Sequence, residues 1–265
     1  MRDPDEGVTA DGTITTGVRR GPLDPPYAEI VADAVAALRT GLGGDLHSVH
    51  LYGSVATGQA RPPASDLDLV ALLLAPRPDD VTALAAELSA RHGAVVSEVG
   101  IGVGDLDTLR RDDQVGAAER AFLKHYCRCV DGPDLAADYP PARASVALAV
   151  GFNGNLGDVL GAVRPRLEAA QDAAARGTIA TRAARKLLMS AATLLSAREG
   201  GWSTDRATAV DLVGRHAPDL HHLAVAALAW SDDTGPVPDV TIETILDDLG
   251  GWLTAQYANE DAPPA

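Results

Sequence analysis

The chain has 265 residues, 46% hydrophobic but only 4% aromatic, so Leu, Val and Ala must fill an interior large enough for one large domain or two smaller ones. Its net charge of −15 at pH 7 disfavours nucleic-acid backbones and anionic membranes as partners and favours cations. Cys127 and Cys129 are too few for a disulfide framework and fit neither a CxxC redox pair nor an ordinary zinc spacing, so both read as structural thiols.

Residues 1–22 mix charge, Gly and Thr without periodicity and are expected to form a flexible N-terminus; "MRDPDEGVTADG" lacks the basic and apolar regions of a signal peptide. No segment reads as a membrane span, which leads to the expectation of a cytoplasmic protein without membrane contact. "LDPPYAEIVADAVAALRTGLGG" predicts a helix with Asp24 as cap, Pro25 in the first turn, Ile30, Ala34 and Leu38 on one face, and Gly41 at its close. "HSVHLY" predicts a strand that runs into a Gly53-Ser54 turn and a short helical turn. "SDLDLVALLL" predicts a second strand, "DDVTALAAELSARHG" a helix ended by Gly93, and "AVVSEVGIGVG" a third strand. A helix is expected within 112–124, followed by "HYCRCV" as a short strand or the last helical turn.

The character changes near Pro140, beyond which strand signals disappear. "TRAARKLLMSAATLLSAREGG" predicts a bundle helix with Ala184, Leu187, Leu188, Ala191, Leu194 and Leu195 as its apolar stripe. Segments 205–216, 219–230 and 239–257 extend the bundle. The expected organisation is therefore a flexible 1–22, a mixed α/β region 23–139, a helical region 140–258 and a flexible tail 259–265.

The chemistry concentrates in "LYGSVATGQARPPASDLDLVALLL". Residues two apart on a strand share a face, so Asp66 and Asp68 project together while Leu67 and Leu69 enter the core. Two such carboxylates repel unless a cation neutralises them, and oxygen ligands suit Mg²⁺, which takes further ligands from substrate phosphates. Glu98, Gly100, Gly102 and Gly104 share one face of the third strand, which leaves room there and makes Glu98 a third candidate carboxylate. Asp105 or Asp107 would serve instead if the register differed. Gly53 and Ser54, where a strand ends, offer backbone N–H groups and a hydroxyl to a triphosphate.

Taken together, "LYGSVATGQARPPASDLDLV" resembles the signature of the DNA polymerase beta-type nucleotidyltransferase superfamily. A catalytic region of this size followed by helices that contain "KLLMSAATLLSAREGGWSTDRATAV" is similar to the aminoglycoside adenylyltransferases that modify streptomycin and spectinomycin. The resemblance implies an α+β fold: a nucleotidyltransferase domain with a mixed sheet and flanking helices, then a C-terminal helical bundle. It further implies that Gly53 and Ser54 bind nucleotide phosphates, that Asp66 and Asp68 hold Mg²⁺, and that Glu98 is the catalytic base. A lysine and an arginine that contact the nucleotide in that family fall here at Arg206 and Thr193, and the acidic drug-binding residue has no counterpart. The implied reaction moves AMP from ATP to a hydroxyl of a small cationic acceptor, an aminoglycoside in the family, with the enzyme expected as a monomer that does not bind nucleic acid. Transfer to a protein or tRNA, and a non-catalytic nucleotide-binding regulator, are the rival readings.

Overall fold

The computed structural model describes residues 3–75, 81–232 and 240–261, and the chain divides into two compact units. Ile14–Ala142, with Asp3–Asp5, form one; Glu6–Thr13, with the chain from Arg143 onward, form the other. The architecture is α+β, with a mixed four-stranded sheet flanked by helices in the first unit and helices throughout the second.

The short strands β1 (Gly7–Val8) and β2 (Ile14–Thr15) lie in the segment expected to be uncommitted. That segment has fixed partners from residue 3 onward. Ile14 is buried, the Gly17 N–H donates to the Asp3 carboxylate at 2.7 Å, and Glu6 accepts the Thr204 N–H at 2.8 Å. Single acidic acceptors and one apolar side chain suffice to anchor it, without any periodicity for the sequence to display.

In the α+β unit, α1 (Pro25–Leu42) buries Ile30, Ala34 and Leu38 as their spacing requires. Asp24 occupies the cap position without a side-chain cap bond, and the helix runs past Gly41 to end at Gly43, with φ +58°. The sheet consists of β3 (Leu46–Tyr52), β4 (Leu67–Leu73), β5 (Val99–Asp105) and β6 (Arg128–Asp131), in the order β5-β4-β3-β6. β4 is antiparallel to β3 and parallel to β5, and β6 is antiparallel to β3. Between β3 and β4 stands α2 (Gly53–Thr57), and α3 (Thr82–His92) precedes β5. The expected start of α3 at residues 79 and 80 lies outside the described residues.

β5 begins later than its apolar run suggests, at Val99, and is followed directly by α4 (Leu106–Arg110), a turn of helix with no sequence signal of its own, and α5 (Gln114–Tyr126). "HYCRCV" is thus both of the forms open to it: His125 and Tyr126 close α5, and Arg128 opens β6. One sheet face packs Val49, Leu51, Leu67, Leu69 and Ala71 against α1 and Leu88 of α3. The other packs Leu72 with Leu106, Leu109 and Leu123 of α4 and α5, and Tyr52 meets Phe122 edge-on at 5.1 Å. At the open edge Val103 is 39% exposed, because β5 is an outer strand.

The helical unit contains α6 (Val146–Asn153), α7 (Leu156–Ala169), α8 (Ala173–Arg198), α9 (Arg206–His216) and α10 (His221–Ser231). After residues 233–239, which lie outside the described set with the start of the segment expected from 239, come α11 (Ile242–Thr244), a π turn and α12 (Gly251–Asp261). The predicted stripe of α8 is fully buried. By length and composition Val146–Ala169 is apolar enough to cross a membrane, contrary to the expectation from sequence. Here it is broken at residues 154–155 into α6 and α7, carries Asp158, Arg164, Arg166 and Glu168, and buries Leu148, Val150, Leu156, Val163 and Leu167 among the other helices of its unit.

Candidate active site

The site is built at one end of the sheet by three strand termini. β3 ends at Tyr52, and the chain turns into α2 at Gly53 with φ +73°, a conformation in which a side chain would be strained. Antiparallel pairing sets Tyr52 beside Asp68, and parallel pairing sets Asp68 beside Gly100. Within β4, Leu67 and Leu69 are fully buried while Asp68 between them is half-buried, as period-two alternation requires; Asp66, also half-buried, directly precedes the strand.

The Asp68 carboxylate is held closely by backbone. A Cβ on Gly53 would lie 2.5 Å from Asp68 Oδ2, and one on Gly100 would lie 3.3 Å from Asp68 Oδ1. Neither neighbour has a side chain, so the carboxylate occupies the space that side chains would otherwise fill. Asp66 is oriented by the Ser97 hydroxyl, which donates to its Oδ1 at 2.5 Å. Burial, then the negative charge of Asp68, then Cys127, push the Tyr52 phenol up and keep it protonated. Tyr52 and Ser97 gave no chemical signal by type: the pairing register sets Tyr52 beside Asp68, and a hydrogen bond joins Ser97 to Asp66.

Glu98 is exposed and directly precedes β5, and its backbone carbonyl accepts the Leu67 N–H at 2.9 Å. It therefore stands at the end of the sheet that carries Asp66 and Asp68. Asp105 pairs in register with Leu73, five residues along β5 from Gly100, or roughly 16 Å at strand rise. It caps α4 by accepting the Thr108 N–H at 2.8 Å, and Asp107 pairs with Arg110. These two alternatives to Glu98 thus lie away from the carboxylate pair. Asp66, Asp68 and Glu98 do not bring three ligand atoms within 4.8 Å of one another; among the described residues only His50, Cys129 and Asp134 do.

Ser54 lies in the first turn of α2, and its carbonyl accepts the Gln59 and Ala60 N–H groups, which folds the following loop back onto the turn. The donor set at this end of the sheet suits a hard cation: the carboxylates of Asp66 and Asp68 at the start of β4, with the backbone turn at Gly53 beside Asp68. Mg²⁺ matches that set, since it takes few protein carboxylates and fills its remaining positions with water and phosphate oxygens.

Arg206 belongs to the helical unit. It opens α9, donates to the Ser231 carbonyl at 2.7 Å and pairs with Asp232 at 3.1 Å. Burial lowers its pKa, opposed by Asp232. It lines a hollow of about 310 Å³ with Asp205, Asp211 and Asp232, so its immediate surroundings are acidic. Thr193, at the position of the family's arginine, is buried, accepts from Asn153 at 2.9 Å and lies 3.3 Å from the Tyr257 hydroxyl. It packs the bundle. Arg185 donates to the Ser231 carbonyl at 3.0 Å, and Lys186, its pKa lowered by burial, donates to Asn153 at 2.7 Å.

No family model matches the chain, and no curated protein matches it. Among solved structures it is similar to a spectinomycin adenyltransferase, AAD(9), from Enterococcus faecialis, crystallised with ATP and spectinomycin; the match spans 87% of this chain and 98% of that one, with a TM-score of 0.50 and 12% identity. At that identity the likeness establishes the fold, and this chain has the α+β nucleotidyltransferase fold of that enzyme.

Proposed function

We propose that this protein is a nucleotidyltransferase that moves AMP from ATP to a hydroxyl of a small polycationic acceptor of the aminoglycoside kind. The observation that carries the reading is the Asp68 carboxylate clasped between Gly53 and Gly100, with Asp66 two residues before it, just ahead of β4. Support comes from the shared fold of an adenyltransferase that binds ATP and spectinomycin.

Asp66 and Asp68 would hold Mg²⁺, whose part is to neutralise the triphosphate and the leaving pyrophosphate. Gly53 and Ser54 offer N–H groups and a hydroxyl to the phosphates, and the bend at Gly53 lets backbone approach closely where a side chain would block. The Ser97 hydroxyl and the backbone around Asp68 keep both carboxylates aimed before substrate arrives, so little reorganisation is needed. Glu98 is assigned the base: exposed, it accepts the acceptor hydroxyl's proton as that oxygen attacks the α-phosphate. Arg206 is left out of the nucleotide site, because its guanidinium is already bonded to Ser231 and Asp232 in an acidic hollow. A chain of net charge −15 suits a polycationic acceptor and disfavours tRNA.

The test is pyrophosphate release from ATP and Mg²⁺ with a panel of aminoglycosides and aminocyclitols. Acceptor-dependent release that is lost in Asp68→Asn supports the reading. No release with any acceptor, or equal release by Asp68→Asn, would sink it.

A further inference from the structure

On the far sheet edge from β5, three metal-binding side chains converge that the nucleotidyl-transfer chemistry does not use. His50 of β3 and Cys129 of β6 are direct cross-strand partners. Asp134 follows β6, and its carboxylate, Cys129 Sγ and a His50 ring nitrogen lie within 4.8 Å of one another. Local structure explains the convergence. The Arg39 guanidinium donates to Asp131 at 2.7 Å and to the Leu46 carbonyl at 2.8 Å, which ties the end of β6 to the start of β3. Gly132, with φ +80°, then lets the chain pass so near β3 that a Cβ would collide with the His47 carbonyl. Asp134 is thereby turned back toward His50.

The state of His50 points to a ligand. Its side chain is completely buried, yet Nδ1 has no hydrogen-bond partner. Nε2 lies 3.0 Å from the Ser48 hydroxyl, which lies 2.9 Å from His47 Nδ1. A hydroxyl donates once: with Ser48 donating to His47 it accepts from His50 Nε2–H, and His50 Nδ1 carries a bare lone pair. An unpaired buried nitrogen is costly to the fold, and coordination to a cation removes that cost. Fixing the second ring nitrogen by a hydrogen bond is also how metal-bound histidines are commonly oriented. Cys129 Sγ, 3.4 Å and 3.6 Å from the carbonyls of Asp131 and Gly132, is half-buried, and the exposed Asp134 uses Oδ1 to accept the Ala136 N–H at 3.2 Å.

We infer that His50 Nδ1, Cys129 Sγ and Asp134 form a binding site for one borderline-soft divalent cation, Zn²⁺ being the best match, with the fourth position open to water. Thiolate with imidazole selects Zn²⁺ over Mg²⁺, and three protein ligands plus water is an ordinary zinc arrangement. Zinc–ligand bonds of about 2.0–2.3 Å in tetrahedral geometry put ligand atoms roughly 3.5 Å apart, so a modest closure of the present cluster completes the site. On binding, the thiol proton leaves to solvent and the thiolate forms the bond to the metal. The ion would pin β6 and the turn after it to β3.

The experiment is titration of the chelator-stripped full chain with Zn²⁺ against a chromophoric chelator, and with Co²⁺ followed by absorption. Expected are one tight equivalent, a thiolate-to-cobalt charge-transfer band with the intense visible bands of tetrahedral cobalt, and loss of both in Cys129→Ser. Affinity should fall about 100-fold or more in Cys129→Ser and His50→Gln, while Cys127→Ala, which alters the other thiol, binds as the parent does. The charge-transfer band separates this site from any cobalt held by carboxylates alone. Cys129→Ser is conservative, and circular dichroism checks that it is folded if His50→Gln is not. Absence of tight binding, absence of the band, or undiminished binding by Cys129→Ser overturns the inference.

Discussion

At the scale of single residues, the active-site proposal rests on how little space surrounds one carboxylate. Gly53→Ala should be among the most damaging small substitutions in the chain, because the added methyl meets Asp68 Oδ2 at 2.5 Å on a backbone already at φ +73°. Displacing a reacting or binding group by about 1 Å can cost 10²-fold in rate, so a loss of that order is expected in pyrophosphate release. Gly100→Ala, with its Cβ at 3.3 Å from Oδ1, should be milder, since a few tenths of an ångström accommodate it. Assays of both variants against Asp68→Asn check the ordering: similar rates for the two glycine variants would mean that the clasp does not position Asp68. Glu98→Gln keeps size and hydrogen bonding but cannot take a proton, so turnover should fall about 10²–10⁴-fold with ATP·Mg²⁺ affinity little changed. Calorimetric titration beside the rate measurement separates this from a ligand role, in which affinity itself would be lost.

Between elements, two polar contacts carry separate consequences. Asp33 of α1 accepts from Arg91 at 2.6 Å and from His92 at 2.8 Å, tying α1 to α3. The His92 hydrogen bond, then that from Arg91, hold the Asp33 carboxyl below its ordinary value of 3.8. A carboxyl depressed in the folded state adds stability above its unfolded value, and that stability is lost as pH falls through the folded value. With about a third of the side chain exposed, solvent limits the effect to about 1 kcal/mol or less. Asp33→Asn should lower the urea midpoint at neutral pH, with the difference closing in acid below 3.8; a difference that persists there would remove the ion pair as its cause. In the helical unit, Arg206 joins the start of α9 to the end of α10 through Ser231 and Asp232. Arg206→Ala leaves the buried Ser231 carbonyl one donor short, although Arg185 still reaches it, so a loss of about 1–2 kcal/mol in unfolding free energy is expected. Unchanged denaturation with greatly weakened ATP binding would return Arg206 to the nucleotide.

The whole molecule contributes through its charge. With −15 spread over 265 residues, attraction of a polycationic acceptor extends over the screening length, which shrinks from about 10 Å at 0.1 M salt to about 3 Å at 1 M. The acceptor KM should therefore rise with ionic strength while kcat changes little, as initial rates in increasing potassium chloride would show. A KM indifferent to salt would confine recognition to short-range contacts and remove net charge from the account.

The sequence by itself was enough for what depends on local period. The apolar stripe of α8, the burial of Leu67 and Leu69 with Asp68 left half-buried between them, and the strand ending before Gly53 all follow from neighbours within a few positions. Element edges shifted where packing decided them: α1 passed Gly41, β5 waited until Val99, and the apolar run 146–169 broke into two bundle helices. Only the tertiary structure decided which groups meet. Strand register set Gly100 beside Asp68 and carried Asp105 to the opposite end of β5; helix packing drew Arg206 to Ser231 and buried Thr193; and pairing of β3 with β6 joined His50 to Cys129. Each of these contacts links residues far apart in the chain, and long-range pairing arises from the packing of whole elements, which no local periodicity encodes.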